Sequence, residues 1–191
     1  MYSNLRELKA QIRERHKQLR SAISPIEKSR RDDAIAEHFL STMAYEQANQ
    51  ILCYASLPIE VSTTRIVSHA FMAEKRCLYP RCMEHGIMQF HYVQSFAEIT
   101  PSYMGIYEPA ESLPMYIAQN NDICIVPALS YDSEGYRMGY GSGYYDRFLA
   151  DFHGVKIGIC YKENIEKKLP RGRYDMQVDI LITEDGLFRL K

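Results

Sequence analysis

The stretch GYRMGYGSGYYDRFL, from Gly135 to Leu149, holds four glycines, four tyrosines, two arginines and one aspartate in fifteen residues. Gly139, Gly141 and Gly143 stand at alternate positions, with Arg137 just before them and Tyr144, Tyr145 and Asp146 just after. Glycine accepts positive φ and carries no Cβ, so this spacing lets successive backbone N–H groups converge on one anion. A helix starting at about Gly143 would add its first N–H groups and its partial positive charge at the same place. The ligand this favours is a phosphate, and Arg137 supplies a planar fork of donors suited to one. Asp146 falls in the first helical turn, where a carboxylate would repel a bound phosphate unless a cation lay between them. Magnesium, which binds through few carboxylates together with phosphate oxygens, is the natural cation. Two plainer readings stay open on these residues alone: a glycine turn that only joins strand to helix, and an aspartate that only faces the helix dipole.

Better-known motifs are excluded. The stretch lacks the G-K-[ST] of a Walker A loop and the G-x-G-x-x-G of a dinucleotide site. Ser142 is flanked by Tyr140 and Tyr144 where a nucleophile elbow demands glycine. A second basic cluster lies at the N-terminus, where Arg6, Lys9, Arg13, Lys17 and Arg20 recur at spacings of three and four and so share one helix face. Such a face is usually solvated, but it could also reach over a polyphosphate or meet RNA.

These residues must be held by elements that the apolar pattern predicts. Leu5, Leu8, Ile12, Leu19 and Ile23 mark an amphipathic first helix. Ser24-Pro25-Ile26-Glu27 joins an N-cap, a proline at the first helical position and a capping-box glutamate, starting a second helix to about Leu40. Strands are expected at Ile51–Ser56, about Cys77–Tyr79, Met88–Val93, Asp122–Leu129, Val155–Cys160 and Val178–Thr183. Further helices are expected from about Ser62 to Glu74 and Gly143 to Phe152. The proline-bearing stretch Ile99–Pro114 reads as a long surface connection. Strands alternating with helices imply an α/β fold, with a mostly parallel central sheet, helices on both faces, and ligands beyond the carboxyl ends of the strands.

Composition narrows the function classes. The chain has 191 residues, 46% hydrophobic and 25% charged, with a formal net charge of -1. That length suits one domain, residues 1–191, and the near-neutral charge argues against a general nucleic-acid binder. Five cysteines, an odd number without a C-x-x-C pair, read as reduced thiols of a cytoplasmic protein. The charged N-terminus is unlike a signal peptide, and no apolar run approaches the ~20 residues of a membrane span. A monomer or weak homo-oligomer acting on small molecules is expected.

The sequence resembles the 5-formyltetrahydrofolate cyclo-ligase family nearly end to end. The matching parts are Lys9 with Arg13, Ser56-Leu57-Pro58-Ile59-Glu60-Val61, Tyr79-Pro80-Arg81, Glu108-Pro109, the long segment Val126 to Leu149, and Leu169-Pro170 followed by Asp175. The most diagnostic is an arginine, a hydrophobe and a glycine leading into G-x-G-Y-Y-D. The resemblance implies the α/β fold shared with sugar-phosphate isomerases and coenzyme A transferases. It also implies an ATP- and Mg-dependent cyclisation of 5-formyltetrahydrofolate to 5,10-methenyltetrahydrofolate, with ADP and phosphate released.

Residue by residue, it puts ATP against Lys9, Arg13, Arg137, Met138, Gly139, Tyr140, Gly141, Ser142, Gly143, Tyr144 and Tyr145, and magnesium against Asp146 and Asp175. It puts the folate against Glu60 and the run Tyr140 to Tyr144. Arg137 and Tyr144 are the expected catalytic side chains. Many relatives carry arginine where this chain has Tyr140 and glycine or lysine where it has Ser142, which leaves a larger share of the phosphate charge to Arg137, Lys9 and Arg13. The rival expectations are an ATP-independent phosphosugar enzyme of the same fold and an inactive nucleotide- or RNA-binding relative.

Overall fold

A computed structural model describes residues 2–102 and 106–190 of the chain. The chain begins with the amphipathic helix α1 (Tyr2–Ser21) and continues through α2 (Pro25–Leu40) and the short α3 (Met43–Gln47). The expected cap of α2 is present: Ser24 is extended, its hydroxyl accepts the Glu27 N–H, and Pro25 opens the helix. Strand β1 (Gln50–Leu52), helix α4 (Thr64–Met72) and strand β2 (Arg76–Cys82) complete the first parallel crossover, and β3 (Met88–Val93) returns antiparallel to β2.

The expected surface connection from Ile99 contains a small antiparallel pair, β4 (Ile99–Pro101) with β5 (Tyr107–Pro109); residues 103–105 of that connection lie outside the described residues. The chain then runs through β6 (Ile123–Val126), β7 (Ser130–Asp132), β8 (Arg137–Met138), helix α5 (Tyr144–Ala150), β9 (Val155–Ile159), β10 (Ile165–Glu166), β11 (Ile180–Thr183) and β12 (Gly186–Phe188).

The main sheet has seven strands in the order β12-β11-β9-β6-β1-β2-β3. Its five inner strands pair in parallel, and each edge strand is antiparallel. Alternation along the inner strands divides the core between the two faces. Ile51, Cys77, Ile123, Ile125, Ile157 and Ile182 face one side, where Ile35 and Phe39 of α2 and Ile66, Val67 and Ala70 of α4 cover them. Leu52, Leu78, Cys124, Val126 and Leu181 face the other, against Leu149 of α5 and Phe152 beyond it. Each of these buried aliphatic side chains contributes about 1.5–3 kcal/mol by leaving water. Helices therefore lie on both faces of a mostly parallel sheet, as the pattern of the sequence implies.

A second sheet, β10-β7-β8, is parallel between β10 and β7 and antiparallel between β7 and β8. It carries the chain from the main sheet into the glycine stretch. The expected strand Ile51–Ser56 ends at Leu52; beyond it the Cys53 N–H still bonds the Leu78 carbonyl, and the chain then leaves the sheet. Among the described residues, no helix is long and apolar enough to cross a membrane. All five cysteines are unpaired.

Candidate active site

A cavity of about 530 Å³ opens beyond the carboxyl ends of β1, β2 and β6. Every candidate site residue named from the sequence reaches its wall: Lys9 and Arg13 from α1, Glu60 from the segment after β1, the run Arg137 to Asp146, and Asp175 from the loop before β11. The wall also contains residues that spacing alone did not single out. Tyr54, Ala55 and Leu57 follow β1, Pro80 and Cys82 belong to β2, and Pro127 follows β6. They are apolar or aromatic residues at strand ends, where a sheet of this type presents ligand sites.

The glycine stretch owes its path to two of its three alternating glycines. Gly141 has φ 108° and Gly143 φ 70°, values that side chains rarely tolerate. Gly139 has no such need, and a Cβ there would meet nothing within 4 Å. From α1, the Arg13 Nε donates to the Gly139 carbonyl at 2.9 Å, so part of this guanidinium shapes the loop. Helix α5 spans only seven residues, shorter than the helix expected from the sequence. Its dipole is correspondingly a smaller source of positive potential than the surrounding cations.

At one end of the cavity the charges are already paired. Arg137, whose side chain is only 5% exposed, donates through Nη2 to Asp146 Oδ1 at 2.7 Å. Its Nη1 donates to the Met176 carbonyl at 3.1 Å. Lys9 Nζ reaches Asp175 Oδ2 at 3.3 Å, and the same oxygen accepts the Gly172 N–H at 2.7 Å. Among the described residues, Asp146 Oδ2 and Asp175 Oδ1 accept no hydrogen bond from the protein.

No group of three or more histidine, cysteine or acidic side chains that could hold a metal ion occurs among the described residues. Two carboxylates with one free oxygen each nevertheless suit magnesium, which takes few protein ligands and completes its shell with water and phosphate.

The other end is different. Glu60 is buried, at 5% exposure, and Oε2 accepts the Leu57 N–H at 2.8 Å across a tight turn. Burial pushes its carboxyl above the ordinary value, opposed by that N–H, by the Tyr140 hydroxyl and by the positive charges of Arg20 and Lys28. Burial and the Glu60 charge push the Tyr140 hydroxyl up in turn. Tyr144 points its hydroxyl at the Met83 carbonyl, at 3.5 Å. Among the described residues the buried Tyr145 hydroxyl has no hydrogen-bond partner, and its ring meets Phe90 edge-on at 6.5 Å.

Helix α1, which brings Lys9 and Arg13 to the cavity, is locked in place by residues not singled out as site residues. His16 is fully buried and sits 2.8 Å from Glu166 Oε1 and 2.9 Å from the Asn164 side-chain nitrogen. Burial lowers its pKa below the usual 6.5, against the pull of Glu166. In the neutral ring Nε2–H donates to Glu166 and Nδ1 accepts from Asn164. One turn on, the buried Arg20 donates to the Ala128 carbonyl at 2.7 Å. The 3–4 spacing of the basic residues placed them on one face but gave no sign that Arg20 would point inward.

A family model described as the 5-formyltetrahydrofolate cyclo-ligase family matches residues 6–184. The chain belongs to this family. The cyclo-ligase of Haemophilus influenzae is 25% identical over 180 residues, covering 90% of this chain and 96% of that relative. The mouse cyclo-ligase is 26% identical over 194 residues, covering 95% and 94%. An NMR structure of the 5,10-methenyltetrahydrofolate synthetase of Aquifex aeolicus superposes with a TM-score of 0.84 at 30% identity, covering 96% of this chain and 93% of that one. The synthetase of Mycoplasma pneumoniae shares the fold, with a TM-score of 0.76 at 23% identity over 92% and 98% of the two chains. The mostly parallel α/β architecture expected from the sequence is thus that of the synthetase structures. Kinship with sugar-phosphate isomerases receives no support from these comparisons.

Proposed function

We propose that this chain, acting as one catalytic domain over residues 1–191, converts 5-formyltetrahydrofolate to 5,10-methenyltetrahydrofolate at the expense of ATP. Family membership supports the reaction. The single observation that carries the site assignment is the convergence of Lys9, Arg13, Glu60, the glycine stretch, Asp146 and Asp175 on one cavity.

The two ends of the cavity suit the two substrates. Lys9, Arg13, Arg137 and the glycine backbone offer donors and positive charge to the nucleotide phosphates. A phosphate chain competing for Lys9 and Arg137 would leave Asp175 and Asp146 in need of another cation. These two carboxylates would hold magnesium, which when bound neutralises phosphate charge. Glu60, buried and without an ion-pair partner among the described residues, suits the amino and ring N–H groups of a pterin, because a buried acceptor gains most from donors that replace its lost water. By the family resemblance, Tyr140 and Tyr144, which both line the cavity, fall where nucleotide and folate would meet.

The chemistry needs phosphate transfer because a formamide is a poor electrophile whose oxygen is a poor leaving group. The formyl oxygen attacks the γ-phosphorus in line and ADP departs, leaving an iminophosphate. The second folate nitrogen then adds to the activated carbon and gives up its proton. The C–O bond breaks, phosphate leaves with the former formyl oxygen, and the five-membered ring is closed. The protein's share is to hold the reacting atoms at about 3–3.5 Å and to stabilise the transferring phosphoryl with Arg137 and the neighbouring cations. The five free thiols and the near-neutral charge fit a cytoplasmic enzyme of small molecules rather than one of nucleic acids; a monomeric or weakly self-associating state is part of the same proposal.

The test is an assay of the purified protein with Mg-ATP and 5-formyltetrahydrofolate, following methenyl absorbance and ADP together and omitting each substrate in turn. Equal formation of both products is expected only in the complete mixture. No product from folded protein would refute the reading.

A further inference from the structure

Arg147 lies outside the cavity, exposed on α5, yet it grips the loop that lines it. Its Nη2 donates to the Ser142 carbonyl at 2.9 Å, and its Nε donates to the Gly86 carbonyl at 2.7 Å. Gly86 belongs to the turn between β2 and β3, far away in sequence. The guanidinium carbon also lies 5.5 Å from the centroid of the Tyr144 ring. One side chain thus ties the glycine stretch, the following tyrosine and a separate hairpin together.

The peptide unit is planar, and no cis peptide occurs among the described residues, so the N–H of Gly143 points opposite to the carbonyl of Ser142. Holding that carbonyl toward Arg147 turns the Gly143 N–H away from the Arg147 guanidinium, and both Ser142 and Gly143 line the cavity. The hairpin has also made room for the clamp. A Cβ on Gly86 would stand 2.2 Å from Arg147 Nη2 and 2.7 Å from its Cζ, so even alanine there would evict the guanidinium. Arg13 does the same work at the other end of the loop by holding the Gly139 carbonyl.

We infer that Arg147 is a positioning residue of the nucleotide site: without touching a phosphate, it fixes the Ser142–Gly143 peptide so that the Gly143 N–H donates to one. The inference rests on the nucleotide reading of the cavity given above. It predicts that Arg147→Gln weakens Mg-ATP binding about tenfold, the worth of one well-aimed donor to a charged group. The KM for 5-formyltetrahydrofolate should rise less than the Kd for Mg-ATP, since Glu60 and its turn are untouched while Ser142 and Tyr144, which the folate is expected to share, lose their clamp.

The experiment measures Mg-ATP affinity by titration calorimetry, both KM values, and the amide resonance of Gly143 with and without Mg-ATP, in the wild type and in Arg147→Gln. The wild-type Gly143 amide should shift on nucleotide addition, and the variant should lose that shift, which general loosening of α5 would not single out. Gly86→Ala should reproduce the weakened binding with Arg147 still present, and the double variant should be far weaker in effect than the product of the two singles. Gly86→Ala also keeps the inference testable if Arg147→Gln fails to fold. ATP affinity equal to wild type in a folded Arg147→Gln or Gly86→Ala would overturn the clamp while leaving the nucleotide reading standing. A wild-type protein that binds no Mg-ATP would overturn both, and the wild-type titration alone distinguishes that case.

Discussion

Three carboxylates line the same cavity, and they are kept in two different ways. Asp146 and Asp175 each face a cation of the chain, at 2.7 and 3.3 Å. Glu60, more deeply buried, meets among the described residues only a backbone N–H, a tyrosine hydroxyl and the more distant charges of Arg20 and Lys28. A carboxylate with a cation beside it is stable as it stands, and a charged ligand must offer it a replacement. A buried carboxylate without one sits at a cost that a ligand carrying N–H donors can lift. On the proposed function, the paired carboxylates suit a polyphosphate with its counter-cation and the buried Glu60 suits a neutral hydrogen-bonding ring.

The sharpest way to break this contrast is at Asp146. Changing it to asparagine keeps the shape, removes the charge, and leaves the almost fully buried Arg137 without its carboxylate. We expect kcat/KM to fall about a hundred- to a thousandfold, with the loss partly recovered at high magnesium. Turnover unchanged at limiting magnesium would remove Asp146 from the metal-binding role.

Glu60→Gln should act on the other substrate. We expect the folate KM to rise about ten- to a hundredfold, because an acceptor is replaced by a group that presents a donor to the pterin N–H groups, while ATP affinity stays within about twofold. Equal loss of both would point to a damaged fold. The raised carboxyl of Glu60 adds a pH signature. Its proton is held more tightly in the folded than in the unfolded chain, so its favourable contribution to stability is present at low pH and is lost as pH rises through the folded value. Glu60→Gln should therefore raise the melting temperature at pH 8 and do so less at pH 4. Folate binding should weaken in the wild type as pH falls toward that raised value, and the variant should show no such dependence.

The smallest effect is expected at Lys9→Gln. Lys9 and Asp175 are both about one-fifth exposed, so solvent screens their pair, and a rise of about fivefold in the KM for ATP is the scale of such contacts. A larger effect would mean that Lys9 contributes to the transferring phosphoryl and not only to binding.

Much of this arrangement was legible in the sequence because it rests on short-range chemistry. Ser24-Pro25-Ile26-Glu27 announces the start of α2, and Met88–Val93 forms the expected strand from end to end. The glycine stretch marks a strand-to-helix turn with an arginine and an aspartate on either side of it. What could not be read depends on partners far away in sequence. The two-residue strands β8 and β10 exist only because β7 lies between them. Strand β12 is set by its antiparallel register with β11.

The same limit applies within the cavity. Nothing local shows that Arg137 meets Asp146, that Arg13 spends its Nε on Gly139, or that His16 buries itself against Asn164 and Glu166. Helix periodicity places Arg20 on the basic face; only the packed fold turns it inward to the Ala128 carbonyl.

The most direct test of the account follows one oxygen atom. With 5-formyltetrahydrofolate labelled with oxygen-18 in the formyl group, a single round of turnover with Mg-ATP should yield one ADP per methenyl product and carry the label into the released phosphate. Methenyl product formed with the label in water instead, or formed without ADP, would contradict phosphorylation of the formyl oxygen and the division of the cavity into a nucleotide end and a folate end.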